Sequence, residues 1–446
     1  MKDKIAESFL YHIWDEQHLK KKLQTCDGQK LKILYQGKWN TAAGPDFRNA
    51  IILLNSEKFQ GDIEIHRTEY DWRNHNHNEN PNFNDVILHI VFQNEHNAKF
   101  TISESGKKIP ILTLENNLDE NIEKLWQKYG EKPFDKLQTN SISCLLSESN
   151  LTENEIVNIL KKLGRKRFQR KCTRFSAELV NSDFNQILYE GIFEAFGYSK
   201  NKETFLKLAK NITFQKIQGL SNLCKNHKDI FAILAFESGL NIEDFHFDFI
   251  DEKLVNYINS KQSKILAETG ENVIQKSDWN FFRLRPQNHP ICRMWQISRL
   301  LFSTLEKSII NQVIAIFSIS EKAKIKPKTI QNKFYELLNQ NSGSKYKIGK
   351  SRCDDIFVNI VLPVCYIYAE TLNYQNLKKF IQEIYLSLPK LSKNYITKYI
   401  SARFKKITSS PKINLCAQQG MMQLYYQFCG QHECKNCVKN YLRKKE

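Results

Sequence analysis

Val86–Phe92 reads VILHIVF, an apolar run broken only by His89. A run of this kind suits a strand buried on both faces, so it marks the middle of a sheet rather than its edge. The flanking sequence supplies partners for it. Leu31, Ile33 and Tyr35 alternate through Lys30–Gln36, and Phe47–Leu54 and Lys58–Arg67 flank Asn55-Ser56 as an antiparallel hairpin would. Ala98–Ile102 and Ile109–Leu114 add two further strands. Before them, Ile5, Phe9, Ile13, Leu19 and Leu23 recur at roughly helical spacing, which predicts one helix within residues 3–23, ended by the turn pair Asp27-Gly28.

Beyond residue 150 the period changes. Thr152 with Glu155 forms a capping box, and Ile156, Leu160, Leu163, Phe168, Cys172 and Phe175 follow as one helix face. Helical patterns also fill 183–240, 291–317, 352–374 and 376–404. The expected class is α+β: a small mixed-sheet N-terminal domain (1–115), a linker (116–145), a larger all-helical region (146–410) and a cysteine-rich C-terminal tail (411–446). A chain of 446 residues suits such a division, and 41% hydrophobic residues are enough to fill the cores.

Lys and Arg number 66 against 48 Asp and Glu, for a net charge of +18. Such a surplus favours a polyanionic partner. The Lys, Asn and Ile richness of an AT-rich genome is an equally good source of it. Acidic residues near the N-terminus do not suit a secretory signal, and the longest apolar stretch, Ile356–Ala369, is interrupted by Asn359 and Pro363 and is too short for a membrane span. Eleven cysteines, an odd number, then suggest free thiols or metal ligands rather than disulfides, and a cytoplasmic address with no membrane partner.

The chemistry concentrates in residues 39–90. Strand alternation puts Asp62, Glu64 and His66 on one face, with Ile63 and Ile65 on the other. Three ionisable groups on one strand face are costly unless solvated, paired or bound to a cation. Hairpin pairing brings Asp46 beside Glu64, and two converging carboxylates make a site for Mg²⁺ or Mn²⁺, with His66 placed to orient or deprotonate a water. Asp46, Glu64, Asp62 and His89 are the candidate ligands, and Asp46, Glu64 and His66 the candidate catalytic set. Each also has a plain structural role open to it: Asp46 as a turn cap, Asp62 and His66 as a pair, His89 as a core histidine, and His75 and His77 as loop residues.

Pro45-Asp46 followed by Glu64-Ile65-His66 resembles the PD-(D/E)-x-K nuclease core, with His66 where that family has Lys. The resemblance implies Asp46 and Glu64 as metal ligands and His66 in the Lys role, with Glu7 matching an extra acid carried by some members. The core also implies a helix between the Glu strand and the next, parallel strand. Residues 68–84 leave room for about two helical turns before Pro81. A second resemblance spans nearly the whole chain. The pattern WN…GPDF…GDIEIH…DW…H-x-H…VILH, with RPQNHPICR at 285–293 and a terminal QQG…C…C-x-x-C, looks like an uncharacterised bacterial family of unknown function. It implies that Asp46, Glu64, His66, Asp71, Trp72, His75 and His89 belong to that family's signature.

KKLGRKRFQRKCTR, residues 161–174, holds eight basic residues and no acid. Lys161, Lys162, Arg165, Lys166, Arg170 and Arg174 are the candidate phosphate contacts, against the alternative of a solvated helix face. Arg283, Arg285 and Arg293 form a smaller cluster, which interdomain salt bridges would also explain. In the tail, Cys416, Cys429, Cys434 and Cys437, with His432 as a spare, fit a structural Zn²⁺ site. The C-x4-C-x2-C spacing also matches an iron–sulfur ligand loop, a second choice to zinc. The expected function is a divalent-metal-dependent phosphodiesterase acting on nucleic acid, in which a water activated by the cation attacks phosphorus. The alternatives are a non-catalytic nucleic-acid-binding or assembly protein on a degenerate nuclease fold, and a His/Glu metal site for other chemistry built from Glu64, His66, His75 and His89. Oligomeric state is left open.

Overall fold

The structure, a computed structural model, describes residues 5–40, 43–129, 144, 151–198, 200–269, 274–305, 307–340, 346–404, 413–431, 434 and 437. It is an α+β protein: a mixed half-barrel sheet of eight strands, then a larger helical region, with cysteines at the C-terminal end. The strands are β1 Leu23–Gln24, β2 Lys30–Tyr35, β3 Lys38–Trp39, β4 Phe47–Leu54, β5 Glu57–Thr68, β6 Val86–Gln93, β7 Phe100–Ile102 and β8 Lys108–Thr113. They run in the order β1-β2-β4-β5-β6-β8-β7, with β3 paired to β4. Pairing is antiparallel from β1 to β5, parallel through β5-β6-β8, and antiparallel again at β7. The apolar run VILHIVF is a central strand, buried throughout.

One side of the sheet packs on helix α1, Glu7–Glu16, through Phe9, Leu10, Ile13 and Trp14 against Phe47, Ile63, Ile65, Leu88 and Ile90. This helix is shorter than the span expected from residues 3–23. Gln17 turns left-handed (φ 58°) and its backbone N–H closes on the end of the helix, after which Leu19 bridges Leu118. The segment expected as linker carries helix α3, Ile122–Tyr129, whose Leu125 enters the same core. The crossover from β5 to the parallel β6 holds only α2, Asp71–Asn74, and two 3₁₀ turns, His77–Glu79 and Pro81–Phe83. A second, small cluster of Trp72, Phe83, Val86 and Ile109 lies under it.

The chain forms two compact units, Met1–Val180 with Lys393–Glu446, and Asn181–Ser392. The change from strand to helix therefore does not coincide with the division into units. The long helix α4, Glu153–Glu178, starts at the Thr152–Glu155 capping box and belongs with the sheet. It packs along the C-terminal helix Leu415–Gln427 at a notch made by two glycines. A Cβ on Gly164 would overlap the Cys416 carbonyl, and one on Gly420 would overlap the Leu160 carbonyl. The second unit is helical in its described residues. Its helices include Glu252–Thr269 and Pro327–Leu338, which hydrophobic spacing had not marked, and the pattern over 376–404 divides at Leu388–Asn394. Ile356–Ala369 is a buried helical run, with a π-turn at Phe357–Val361 just before Pro363. Among the described residues no single helix is long and apolar enough to cross a membrane.

Candidate functional site

The site begins at a turn. Gly44 takes φ +100°, a conformation that residues with a side chain rarely adopt, so the turn favours glycine. Asn40 closes the turn, its side-chain amide donating to the Pro45 carbonyl at 2.9 Å and its backbone N–H to the Asp46 carbonyl at 2.7 Å. Asp46 is thereby delivered to the start of β4. Pairing of Phe47 with Ile63 sets Asp46 opposite Glu64. The two residues interlock: the Asp46 N–H donates to Glu64 Oε2 at 3.0 Å, and the Ile65 N–H donates to Asp46 Oδ2 at 2.9 Å. The expected juxtaposition is present.

Glu64 and His66 share a face, opposite Ile63 and Ile65, which enter the α1 core. Asp62 departs from that pattern. Pairing is irregular on both sides of it, and Asn49 in the facing bulge adopts φ 56°. Asp62 accepts the Asn49 N–H and the Arg48 guanidinium, each at 2.9 Å. It satisfies the donor that the bulge leaves unpaired and holds an arginine, so its carboxylate is committed to the strand itself.

Four histidines gather on the Glu64 face. Glu64 Oε1 lies 3.2 Å from His77 Nε2 and 3.4 Å from His66 Nε2. Ligand nitrogens of His66, His75 and His77 all fall within 4.8 Å of one another. His66 Nδ1 meets His89 Nε2 at 2.9 Å, His66 Nε2 meets His75 Nδ1 at 3.1 Å, and His89 Nδ1 meets Thr101 Oγ1 at 2.7 Å. His89 therefore has both ring nitrogens engaged and stands behind His66, covered by Trp72 at 5.2 Å between rings. His77 is the opposite case. It is stacked on Phe83 at 3.8 Å, yet among the described residues neither of its buried ring nitrogens finds a hydrogen-bond partner. Its approach to Glu64 is close but lies outside hydrogen-bonding direction.

The electrostatics follow from burial. Burial pushes the Asp46 carboxyl well above the usual range, and the neighbouring Glu64 and Glu7 add to it. Glu64 is pushed up to about 8, first by burial and further by Glu7 and Asp62. The histidines move the other way. Burial and the other imidazoles drive His66 far down, while burial takes His77 down to about 4 and His89 to about 3. Asp46, Glu64 and Glu7 are thus crowded acids beside the neutral imidazoles of His66, His77 and His89. Glu7 comes from α1, raised by burial and within the field of His75, His77 and Asp71. Tyr11 hydrogen-bonds Asp46. Sequence reasoning placed Glu7 only by resemblance and missed Tyr11; their four-residue spacing on one helix was the available signal. His75 and His77 were visible as H-x-H in a loop, and only the folded crossover returns them to His66.

Of the six candidate phosphate contacts on α4, three pair with acids. Lys166 pairs with Glu16, Arg170 with Asp15 at 2.6 Å, and Arg174 with Glu178 at 3.0 Å. Lys162 and Arg165 are exposed and Lys161 is half-buried. In the second unit Arg293 is buried and bonds to Tyr198, Asn288 and Gln296, whereas Arg285 is exposed. His432 lies outside the described residues.

No curated protein and no solved structure matches this chain. The turn that delivers Asp46, the Glu64–His66 strand and the histidine crossover all fall within residues 7–394, which match the family described as "Protein of unknown function (DUF2851)", and the chain belongs to that family.

Proposed function

We propose that the protein is a metal-dependent phosphodiesterase acting on nucleic acid, with its metal held by Asp46, Glu64 and the histidines of the crossover. The observation that carries this reading is Glu64, interlocked with Asp46 and set 3.2 Å from His77, a buried imidazole with no hydrogen bond among the described residues. Carboxyls raised by burial and by neighbouring acids, facing the imidazoles of His66 and His77 that burial keeps neutral, gain together from one cation. A divalent ion there would polarise a phosphoryl oxygen and activate a water. Glu64, His77 and Asp46 would hold it. His66, neutral and with both nitrogens placed, does not supply the positive charge of the nuclease lysine; its role is a ligand or a hydrogen-bond partner to the attacking water. A mixed oxygen and nitrogen set favours Mn²⁺ or Zn²⁺ over Mg²⁺.

The net charge of +18 and the exposed Lys162 and Arg165 support a phosphate-bearing polymer as substrate. The test is metal-dependent cleavage of single-stranded, duplex and branched DNA and RNA. Mn²⁺ or Zn²⁺ is expected to support it best. Asp46→Asn and Glu64→Gln should each lower the rate by at least ~10²-fold with the fold retained, since each keeps the volume and removes a charge from the cation. Absence of cleavage on every substrate and metal would leave a nucleic-acid-binding protein in its place.

A further inference from the structure

Of the four tail cysteines, Cys416 stands apart from the other three. Cys416 is fully buried in the C-terminal helix, and its Sγ donates to the Lys161 carbonyl at 3.2 Å. Its side chain is part of the tight contact with α4. Cys429, at the 3₁₀ turn that follows this helix, stays with Cys434 and Cys437. The fourth member comes from far earlier in the chain. Cys144 packs against the same apolar cluster as Cys429, and Cys437 is one of that cluster's buried residues, beside Phe404, Leu424 and Phe428.

The four thiols lie in one another's field. Cys429 is pushed up to about 12 by burial, and then by Cys144 and Cys434. Cys437 is raised by burial, and then by the other three. None of the four is in a disulfide. Such a corner is poorly explained as packing alone. Cys434 is exposed, which a small apolar filler need not be, and Cys429, Cys434 and Cys437 keep the C-x4-C-x2-C spacing of a metal-ligand loop. Arg403, stacked on Tyr399 at 3.5 Å, places positive charge near Cys429 and Cys434, which offsets part of the burial that raises both thiols. A cation that accepts four thiolates would convert their mutual repulsion into attraction.

We propose that Cys144, Cys429, Cys434 and Cys437 form a four-thiolate metal centre that fastens the C-terminal segment to the stretch preceding α4. The centre is independent of the phosphodiesterase reading. Its occupant is either zinc or an iron–sulfur cluster, both of which four cysteines can hold. The full chain, purified without oxygen and without a metal-binding tag, should carry about one zinc and no colour, or iron with acid-labile sulfide and visible absorption. Cys144→Ser and Cys434→Ser should each lose most of that metal, while Cys416→Ser keeps it. Should Cys144→Ser fail to fold, the wild-type chain stripped of metal and given Co²⁺ serves instead. Strong thiolate-to-cobalt absorption that Cys434→Ser weakens and Cys416→Ser does not would support the centre. Metal lost in Cys416→Ser but kept in Cys434→Ser would overturn it, as would a wild-type chain that carries no metal and takes up no Co²⁺.

Discussion

At Glu64 two opposite titrations meet, and they separate on the pH scale. Its folded-state pKa of about 8 lies above the ordinary 4.5, so without metal the folded chain binds more protons than the unfolded one between those values. Stability contributed by the protonated carboxyl is therefore lost as pH rises through that window. His77 runs the other way. Lowered from 6.5 to about 4, it makes the fold lose stability as pH falls through 6.5. Above pH 6.5 the acids act alone. In the presence of chelator, the melting temperature should fall from pH 6.5 to 8.5, and Glu64→Gln should flatten that fall while raising the melting temperature at pH 8.5. Equal slopes in both proteins would mean that Glu64 ionises normally and is not crowded. This carboxyl was legible in the sequence because a strand alternates and a hairpin pairs. Asp62 had the same credentials, and a bulge that no period records gave it to Arg48 and Asn49. His77 was obscured for a different reason: its position depends on how a loop of Asn and His residues folds back, and nothing in its spacing encodes that.

Among the elements, α4 separates its charges by depth. Replacing Lys162 and Arg165 by Glu should weaken nucleic-acid binding regardless of sequence and reduce the salt slope by about two, one for each phosphate contact removed. An unchanged slope would take the helix out of the interface. Arg170→Ala should act on stability instead, because it strands Asp15, which is only 3% exposed. Breaking such a pair costs on the order of 3 kcal/mol, read as a lower denaturation midpoint. The helical period predicted this element and its cap well. It could not show which basic residues face the acids of α1, since those acids lie some 150 positions away. The one glycine of the same helix carries its own test. Alanine in place of a helical glycine ordinarily stabilises by about 1 kcal/mol. Gly164→Ala should reverse that sign and cost roughly 1–3 kcal/mol, because the Cys416 carbonyl occupies the space a methyl needs. A stabilised Gly164→Ala would show that the two helices stand further apart.

On the scale of the whole molecule, the first unit is assembled from both ends of the chain, with Asn181–Ser392 between them. The sheet, α1 and α4 are made first, but the helix that fits the Gly164 notch and the residues closing the apolar cluster of Ile156, Leu160 and Leu163 come from Ile400 onward. The family match stops at residue 394, short of that closing segment. A ribosome that has just released Ser392 has therefore produced a second unit with all its parts and a first unit with one face of α4 still bare. The order of synthesis is thus not the order of completion. The segment bearing Asp46 and Glu64 emerges well before the helix that seals the unit containing it.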